Sequence, residues 1–553
     1  MYILGISCFY HDSAAALLKN GQLIVASAEE RFSRKKHDTS FPKQAIAFCL
    51  QQAGIQAKDI AYVVFYEKPF VKFERNLITS LENFPHSLSF FVDSMRNFLA
   101  EKLWIKSDIQ LLGIDSTKIL FVPHHLSHAA ASFYPSPFSK AAYVTFDGAG
   151  EWTTTSWGIG EENKLLPKEE IRFPDSIGLL YATFTSFLGF PINDGEYTVM
   201  GMASFGKPKY QKKIQKLYTL KNDGSFVLHK KYFSFNKNAT KMHSDIFEAE
   251  FSACNKFDLA ASLQACTEEI IFTLLHYVQA QTNTENLCLG GGVALNSVVN
   301  GKIRARTRFK NIFIFPASGD DGAAAGAALY VYHHILGNTK RKNIDNMFLG
   351  KAFSQKDIES FLQSKQISFT KIPDKKLLPF LAKQLSLGKV VGYIEGRAEY
   401  GPRALGHRSI LADPRKKQMK DIVNKKIKFR EEFRPFAPAV LQEDVKKYFV
   451  GDDRLLYPYM LSVCKTTTNA SKEIPAVLHV DKTARIQTVN KTYKGKFYKL
   501  LKEFKKQTGI GVLLNTSFNL KGEPIVNSPQ DAYNTFLKSG IDILVLENCV
   551  LQK

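Results

Sequence analysis

A strand–polar loop–strand unit occurs twice within the first 160 residues, and it restricts the fold more than any other feature of the chain. Residues 2–7 form an apolar run that reads as a buried strand. After the short polar loop Phe9-Tyr10-His11-Asp12-Ser13, residues 13–18 resume as strand, Asn20-Gly21 supplies a hairpin turn, and residues 23–28 return. The order recurs with the apolar run 141–146, the loop Asp147-Gly148-Ala149-Gly150 and the Thr/Trp-rich run 152–157. At 553 residues the chain has room for roughly two to four domains, so the two units are expected to open two similar halves of one α/β domain. Of the two loops the second contains glycines, and Gly148 and Gly150 are nucleotide-binding candidates.

The stretch Pro-His-His-Leu-Ser-His-Ala-Ala-Ala, residues 123–131, places His124 and His128 one helical turn apart on one face. That spacing lets two imidazoles share one metal ion. Asp147 ends the run 141–146, and Asp320 follows the run 312–315 within Gly-Asp-Asp-Gly. Carboxylates at the ends of buried strands point into the crevice where α/β folds bind ligands. Two histidines and two aspartates with a position left for a substrate oxygen suit iron(II), or another divalent transition metal, better than structural zinc. Further on, the apolar run 286–289 breaks at Gly290-Gly291-Gly292, and the chain is expected to continue as a helix through Asn296 to residue 300, giving a second candidate nucleotide site at a strand–helix turn. The run matches neither a dinucleotide-binding nor a P-loop pattern.

Residues 336–350 turn polar, and a linker at 341–354 is expected to separate a first domain, 1–340, from a second, 355–553. There, directly after a strand at 390–394, Arg397, Arg403 and Arg408 lie within twelve residues among glycines and prolines, with Ser409 following. Lys428, Arg430 and Arg485 come later, and Asn515-Thr516-Ser517 is expected to follow the end of a strand at 510–514. Guanidinium groups in a glycine-bracketed loop bind phosphates or carboxylates bidentately, and hydroxyls add donors. The formal charge of +22 suits an enzyme of polyphosphates, and nucleic acid is disfavoured as a partner. No apolar run is long enough to span a membrane, and the N-terminus lacks the basic region of a signal peptide. Seven scattered cysteines with no C-x-x-C pair are expected to be free thiols in a reducing cytoplasm. The aromatic, basic and mostly helical segment 66–112 and the Lys/Phe/Tyr-rich segment 205–250 read as insertions that shape an acceptor site.

The paired hairpins are similar to those of the actin, sugar-kinase and heat-shock ATPase superfamily. His11-Asp12-Ser13-Ala14-Ala15, Glu29-Glu30-Arg31-Phe32, His124 to His128, Val199-Met200-Gly201-Met202-Ala203, Gly290 to Ala294, the block from Gly396 to Arg415, Arg434-Pro435-Phe436-Ala437-Pro438, His479-Val480-Asp481 and Asn515 to Asn519 carry the resemblance further. Together they resemble the NodU/CmcH family of O-carbamoyltransferases almost end to end. The resemblance implies an actin-like N-terminal domain and a C-terminal domain similar to threonylcarbamoyl-AMP synthase, the YrdC fold. It implies that the C-terminal domain makes carbamoyl-adenylate from carbamoyl phosphate and Mg²⁺-bound ATP, and that the N-terminal domain moves the carbamoyl group to a hydroxyl of a small molecule or saccharide. It also places the metal ligands on His124, His128, Asp147 and Asp320, and anion contacts among Arg403, Arg408, Lys428, Arg430, Arg485 and Ser517. His11 is the expected base, with Asp12 as its orienter. Thr198 stands where the family often has lysine, so a phosphate contact from that position is not expected. A homodimer is compatible with this reading. Two rivals are a tRNA threonylcarbamoyl-transfer enzyme and a non-catalytic basic RNA-binding protein, and the arginine-rich C-terminal block and the full set of metal-ligand candidates weigh against them.

Overall fold

The computed structural model describes residues 1–238, 241–451 and 457–553. The chain divides into two compact units, Met1–Glu29 with Asp38–Asp345 and Glu30–His37 with Asn346–Lys553. Residues 30–37 therefore group with the second unit, although they lie early in the sequence.

The first unit contains two five-stranded sheets with the same topology. The first is built from β1 (Tyr2–Ser7), β2 (Ala14–Lys19), β3 (Gln22–Ala28), β4 (Ile60–Phe65) and β5 (Ile119–Phe121), in the order β3-β2-β1-β4-β5. The second is built from β6 (Lys140–Phe146), β7 (Thr153–Glu161), β8 (Lys164–Arg172) and, after a small hairpin of β9 (Tyr218–Leu220) and β10 (Phe226–Leu228), β11 (Asn286–Gly290) and β12 (Asn311–Ile314). Its order is β12-β11-β6-β7-β8. In each sheet an antiparallel three-stranded meander is extended by two parallel strands. This duplicated 3-2-1-4-5 order makes the first unit an actin-like α/β domain. The expected hairpin at Asn20-Gly21 forms, with both residues at positive φ as a tight primed turn requires.

Two helices between the sheets set the geometry of everything that follows. His124–Phe133 is almost wholly buried, and so is Asp320–Tyr330, whose sequence Asp-Asp-Gly-Ala-Ala-Ala-Gly-Ala-Ala-Leu-Tyr is dominated by small residues. Small side chains let backbones touch: a Cβ at Gly326 would fall 1.8 Å from the Ser127 carbonyl oxygen, and one at Gly5 would fall 1.8 Å from that of Ala324. The Asp320–Tyr330 helix is thus pressed between β1 and the His124–Phe133 helix. Gly326→Ala is expected to force the two helices apart at a cost of about 1–3 kcal/mol, the usual range for overpacking. A falling thermal midpoint together with reduced metal content on elemental analysis is the expected pair of results; an unchanged midpoint would mean that the helices separate freely.

The second unit is built on an eight-stranded mixed sheet. Its strands are β13 (Thr370–Lys371), β14 (Val391–Ile394), β15 (Arg408–Ala412), β16 (Ala437–Leu441), β20 (Gln487–Val489), β21 (Val512–Ser517), β22 (Ile543–Leu546) and β23 (Cys549–Gln552). The order is β13-β23-β22-β14-β15-β21-β16-β20. A separate three-stranded sheet joins β17 (Phe449–Val450), β18 (Val463–Thr466) and β19 (Thr483–Arg485). Successive residues of the large sheet feed two different cores. Ile410, Val440, Leu514 and Leu544 face one, and Leu411, Ala439, Leu513 and Val545 face the other. Burial on both faces explains why these strands are continuous apolar runs rather than alternating ones. The helices Asp374–Ser386 and Phe497–Thr508 cover one face, and Gln355–Ser364 and Pro529–Leu537 contribute to the other core.

Several expected elements are redrawn. The single helix expected after Gly292 is a short 3-10 turn, Gly292–Leu295, followed by a separate helical turn, Ser297–Asn300. Asn296 makes the break: its side-chain oxygen accepts from the Val299 amide as an N-cap. Asp320 begins a helix rather than ending a strand, and Asn515, Thr516 and Ser517 lie inside β21 rather than beyond it. All seven cysteines are free. Among the described residues no helix is long and apolar enough to cross a membrane.

Candidate functional site

In the first unit, His124 and His128 project from one face of their helix toward the carboxyl end of β6, where Asp147 starts the β6–β7 turn. Their Nε2 atoms stand 3.1 Å apart, and each lies 3.0 Å from Asp147 Oδ2. Asp320 Oδ1 lies 3.5 Å from His128 Nε2 and 3.7 Å from His124 Nε2. One donor atom from each of the four residues falls within 4.8 Å of every other. Two imidazole nitrogens aimed at each other and at two carboxylates form a site that can hold a cation. With metal–ligand bonds of ~2.1 Å, donors at right angles about one ion stand about 3.0 Å apart. The three shortest separations match that spacing, so the cluster fits a divalent metal held on one side, with the other side open to an oxygen ligand.

The electrostatics agree. Burial disfavours the charged form of Asp147, but hydrogen bonding and charge from His124 and His128 hold its carboxyl well below the usual range. Burial would likewise lower His128, and the two aspartates overcome it, pushing the imidazole up to about 9.

The surroundings explain nearby residues that the sequence reading assigned otherwise or left unassigned. The His124–Phe133 helix has no side-chain cap from its own Ncap residue, Pro123. Buried Glu151 supplies one from the β6–β7 turn, accepting the His124 amide at 3.1 Å and the Lys68 amide at 2.8 Å. A carboxylate at a helix N-terminus is stabilising there. Arg75 fastens the same turn, donating to the carbonyls of Gly150 and Glu151 at 2.7 Å each. Tyr66 donates to Asp320 at 3.4 Å. None of these has a local sequence signature, because each contact joins distant segments.

Of the glycines expected to bind nucleotide, Gly150, Gly290 and Gly291 are packed too closely for a side chain. A Cβ at Gly150 would meet the His124 ring at 2.9 Å, and one at Gly290 would meet the His128 carbonyl oxygen at 2.7 Å. Gly291 has φ +86 and no room beside the Phe146 carbonyl. Gly292 borders the Asp147 carboxylate, and Gly148 faces the Tyr10 hydroxyl. Asn296 exchanges hydrogen bonds with Gln264 in addition to capping its helical turn. In the β1–β2 loop, His11 Nδ1 lies 2.8 Å from Asp12 Oδ2. The Asp12 amide is also 3.2 Å from this nitrogen. The shorter, charge-assisted contact favours a proton on Nδ1 and leaves the basic lone pair on Nε2.

In the second unit the structure sorts the basic candidates. Buried Lys428 donates to Ser517 Oγ at 3.2 Å and to Asn519 Oδ1 at 2.6 Å, and Ser517 donates to Asn519 Oδ1 at 2.7 Å. Burial, then the charges of Arg430, Arg434 and Lys36, hold the Lys428 ammonium well below its ordinary range. Asn519 belongs to this cluster and was missed as a site residue, although it lies in the quoted motif. Arg430 donates to Asn424 at 2.8 Å and lies 4.6 Å from the Phe436 ring centroid. Arg397 donates to the carbonyls of Gly350, at 3.1 Å, and Leu349, at 2.5 Å. Arg403 is half-buried in the loop before β15, and Arg485 ends β19. Ser409, Thr516 and Ser517 sit on the neighbouring strands β15 and β21. Asn515 donates to Gln487 at 2.7 Å from within the sheet. Arg408 is wholly buried, and each guanidinium nitrogen donates to backbone carbonyls, namely those of Glu395, Gly396, His407, Lys351 and Asn527. In this arrangement it braces the loop, and no guanidinium face is turned to an anion.

Comparison with known proteins decides the family. A family model described as Carbamoyltransferase N-terminus matches residues 2–329, and one described as Carbamoyltransferase C-terminus matches residues 382–553. The chain belongs to the carbamoyltransferase family. It is an enzyme of carbamoyl transfer, related at moderate identity to the NolO- and NodU-type nodulation proteins. It is 45% identical to the uncharacterized protein sll1178 of Synechocystis sp., over 100% of this chain and 97% of that one. It is 35% identical to the nodulation protein NolNO of Sinorhizobium fredii, over 99% of this carbamoyltransferase and 79% of the relative. Among solved structures, component A of the (R)-2-hydroxyglutaryl-CoA dehydratase of Acidaminococcus fermentans aligns at 14% identity and a TM-score of 0.36, covering 61% of this chain and 99% of that one.

Proposed function

We propose that this carbamoyltransferase is an ATP-dependent O-carbamoyltransferase of the NodU/CmcH type, working through carbamoyl-adenylate. In this reading the second unit is a YrdC-like domain that forms the adenylate, and the actin-like unit passes the carbamoyl group to a hydroxyl of a natural product or saccharide. The observation that carries it is the presence, in one chain, of the His124–His128–Asp147–Asp320 cluster and the Lys428–Ser517–Asn519 cluster, one within each family-matched region.

In the first step water hydrolyses carbamoyl phosphate to carbamate and phosphate. A carbamate oxygen attacks the α-phosphorus of ATP, and pyrophosphate leaves. Such chemistry is mostly positioning and charge neutralisation, for which Arg403, Arg430 and Arg485 are the proposed cations, with Lys428 adding its charge from a position fixed by Ser517 and Asn519. Mg²⁺ enters with ATP. In the second step the acceptor oxygen attacks the carbamoyl carbon, the C–O bond to phosphate breaks, and AMP leaves with the electron pair. His11 takes the acceptor proton on Nε2, with Asp12 holding the other nitrogen protonated. His124, His128, Asp147 and Asp320 would hold the divalent metal, iron(II) by donor type. When bound, it supplies Lewis-acid polarisation of a carbonyl or phosphoryl oxygen.

The test separates the two half-reactions. His11→Asn is expected to release pyrophosphate from ATP and carbamoyl phosphate at the wild-type rate and to retain carbamoyl-adenylate. Its onward transfer should slow by about 10²–10⁴-fold, the usual weight of a general base. Quenching the mixture and weighing the bound species by mass spectrometry reads both steps. Undiminished transfer would remove His11 from the chemistry, and absence of carbamoyl-phosphate-dependent pyrophosphate release in the wild type would overturn the adenylate route.

A further inference from the structure

The β1–β2 loop holds a side chain that the reaction as written does not use. Tyr10 precedes His11, with ring centroids 5.7 Å apart. Its ring is held by the Lys72 ammonium 4.5 Å from the centroid, and Lys72 is anchored by the buried Glu67 carboxylate at 2.8 Å. Lys102 pairs with the same carboxylate from the other side. The residue before it, Phe9, has φ +66, a left-handed conformation that a bulky side chain rarely adopts and that persists only where the surroundings impose it. The loop is therefore fixed, and with it the direction of the phenol.

The phenol ends beside the turn that carries Asp147: a Cβ at Gly148 would sit 3.5 Å from the Tyr10 hydroxyl, in ordinary van der Waals contact. Burial, then the charges of Asp147 and Asp320, push the phenol well above its ordinary value, which keeps it a proton donor at every working pH. Among the described residues nothing in the protein hydrogen-bonds to this hydroxyl. Tyr10 is only partly buried, which leaves its hydroxyl accessible to a bound substrate. Here it shares a short loop with the candidate base and points at the turn that carries a metal ligand.

We propose that the Tyr10 hydroxyl donates a hydrogen bond to the carbamoyl carbonyl oxygen during transfer, stabilising the negative charge that develops there. This inference rests on the adenylate reading above. As the acceptor oxygen bonds to the carbamoyl carbon, its proton goes to His11 and the carbonyl π pair moves onto oxygen, where the Tyr10 O–H meets it. When the carbonyl re-forms, the bond to AMP breaks, AMP leaves with that pair, and Tyr10 keeps its proton throughout. A preorganised donor of this kind typically contributes about 10²–10³-fold to kcat.

The experiment compares wild type with Tyr10→Phe in the full-length protein, using water as the acceptor so that the natural hydroxyl need not be known. Pyrophosphate release reads the first step, AMP formation reads the second, and elemental analysis and thermal unfolding read metal content and folding. Tyr10→Phe is expected to keep the pyrophosphate burst, the metal and the midpoint. It should form AMP about 10²-fold more slowly, with the KM for carbamoyl phosphate unchanged. AMP formation within twofold of wild type would overturn the assignment. So would a loss of AMP formation matched by an equal loss of metal or of thermal stability, which would make Tyr10 a packing residue. If wild type itself releases no pyrophosphate from carbamoyl phosphate and ATP, the adenylate reading fails first and this inference falls with it.

Discussion

Replacing both His124 and His128 with alanine is expected to strip the protein of its divalent metal and to abolish carbamoyl transfer, while the second unit still releases pyrophosphate. Wild type is expected to carry about one transition metal per chain, as four convergent N/O donors imply. The two Nε2 atoms take part in all three separations near 3 Å, and with both removed only the Asp147 and Asp320 carboxylates remain. Two carboxylates without imidazole bind late first-row metals poorly, and the pair would now repel. A pH dependence follows with a definite sign. The aspartates favour protonated His128, with its imidazole pushed up to about 9, and a proton there excludes the metal. Metal retention in a competing chelator should therefore fall as pH is lowered from about 9. Elemental analysis of dialysed wild type and double variant checks the first point; equal metal in both would place the ion elsewhere.

What is legible in the sequence is what depends on local pattern. The i, i+4 histidines need only a helix to converge, and Asp147 needs only to stand at a strand end, so the cluster can be read before its geometry is known. Asp320 joins the cluster from a helix start rather than a strand end, and Gly-Asp-Asp-Gly suits both equally well. Glu151 could not be read at all: it is defined by the His124 amide it caps, twenty-seven positions away. Asn515 and Ser517 look like the end of a strand because polar residues usually stop an apolar run. They continue it here because Gln487 and the Lys428 ammonium supply partners inside the sheet and at its edge. The glycines carry two readings at once: a chain that must let a helix and a hairpin touch shows the same Gly290-Gly291-Gly292 run as one that cradles phosphate, and the neighbouring backbone atoms show the first requirement at Gly290 and Gly291.

The arginines raise the same ambiguity at its sharpest, and Arg408 carries the second large prediction. A buried guanidinium needs acceptors, and phosphate oxygens or backbone carbonyls serve equally well. Here five carbonyls do so, from the β14–β15 loop, from Lys351 and from Asn527. Burial lowers this group to about 10, so it remains charged at neutral pH and its donors remain committed. Arg408→Met would fill part of the volume but strand several buried carbonyls, each costing about 1–3 kcal/mol. Because these losses share one relaxing loop they do not add, and about 3–5 kcal/mol is expected in total, as for a broken buried charged network. The second unit should unfold at lower denaturant, and amide exchange should accelerate along β14 and β15 before anything changes in the first unit. Arg408→Lys should recover little, since a single ammonium cannot span acceptors arranged for a planar fork. Pyrophosphate release should then fail in proportion to the unfolded fraction, and recover in conditions that restore folding. If Arg408→Met instead keeps its stability and exchange pattern while losing pyrophosphate release at saturating ATP, the guanidinium must turn from its carbonyls to meet the substrate anion, and Arg408 returns to the binding site.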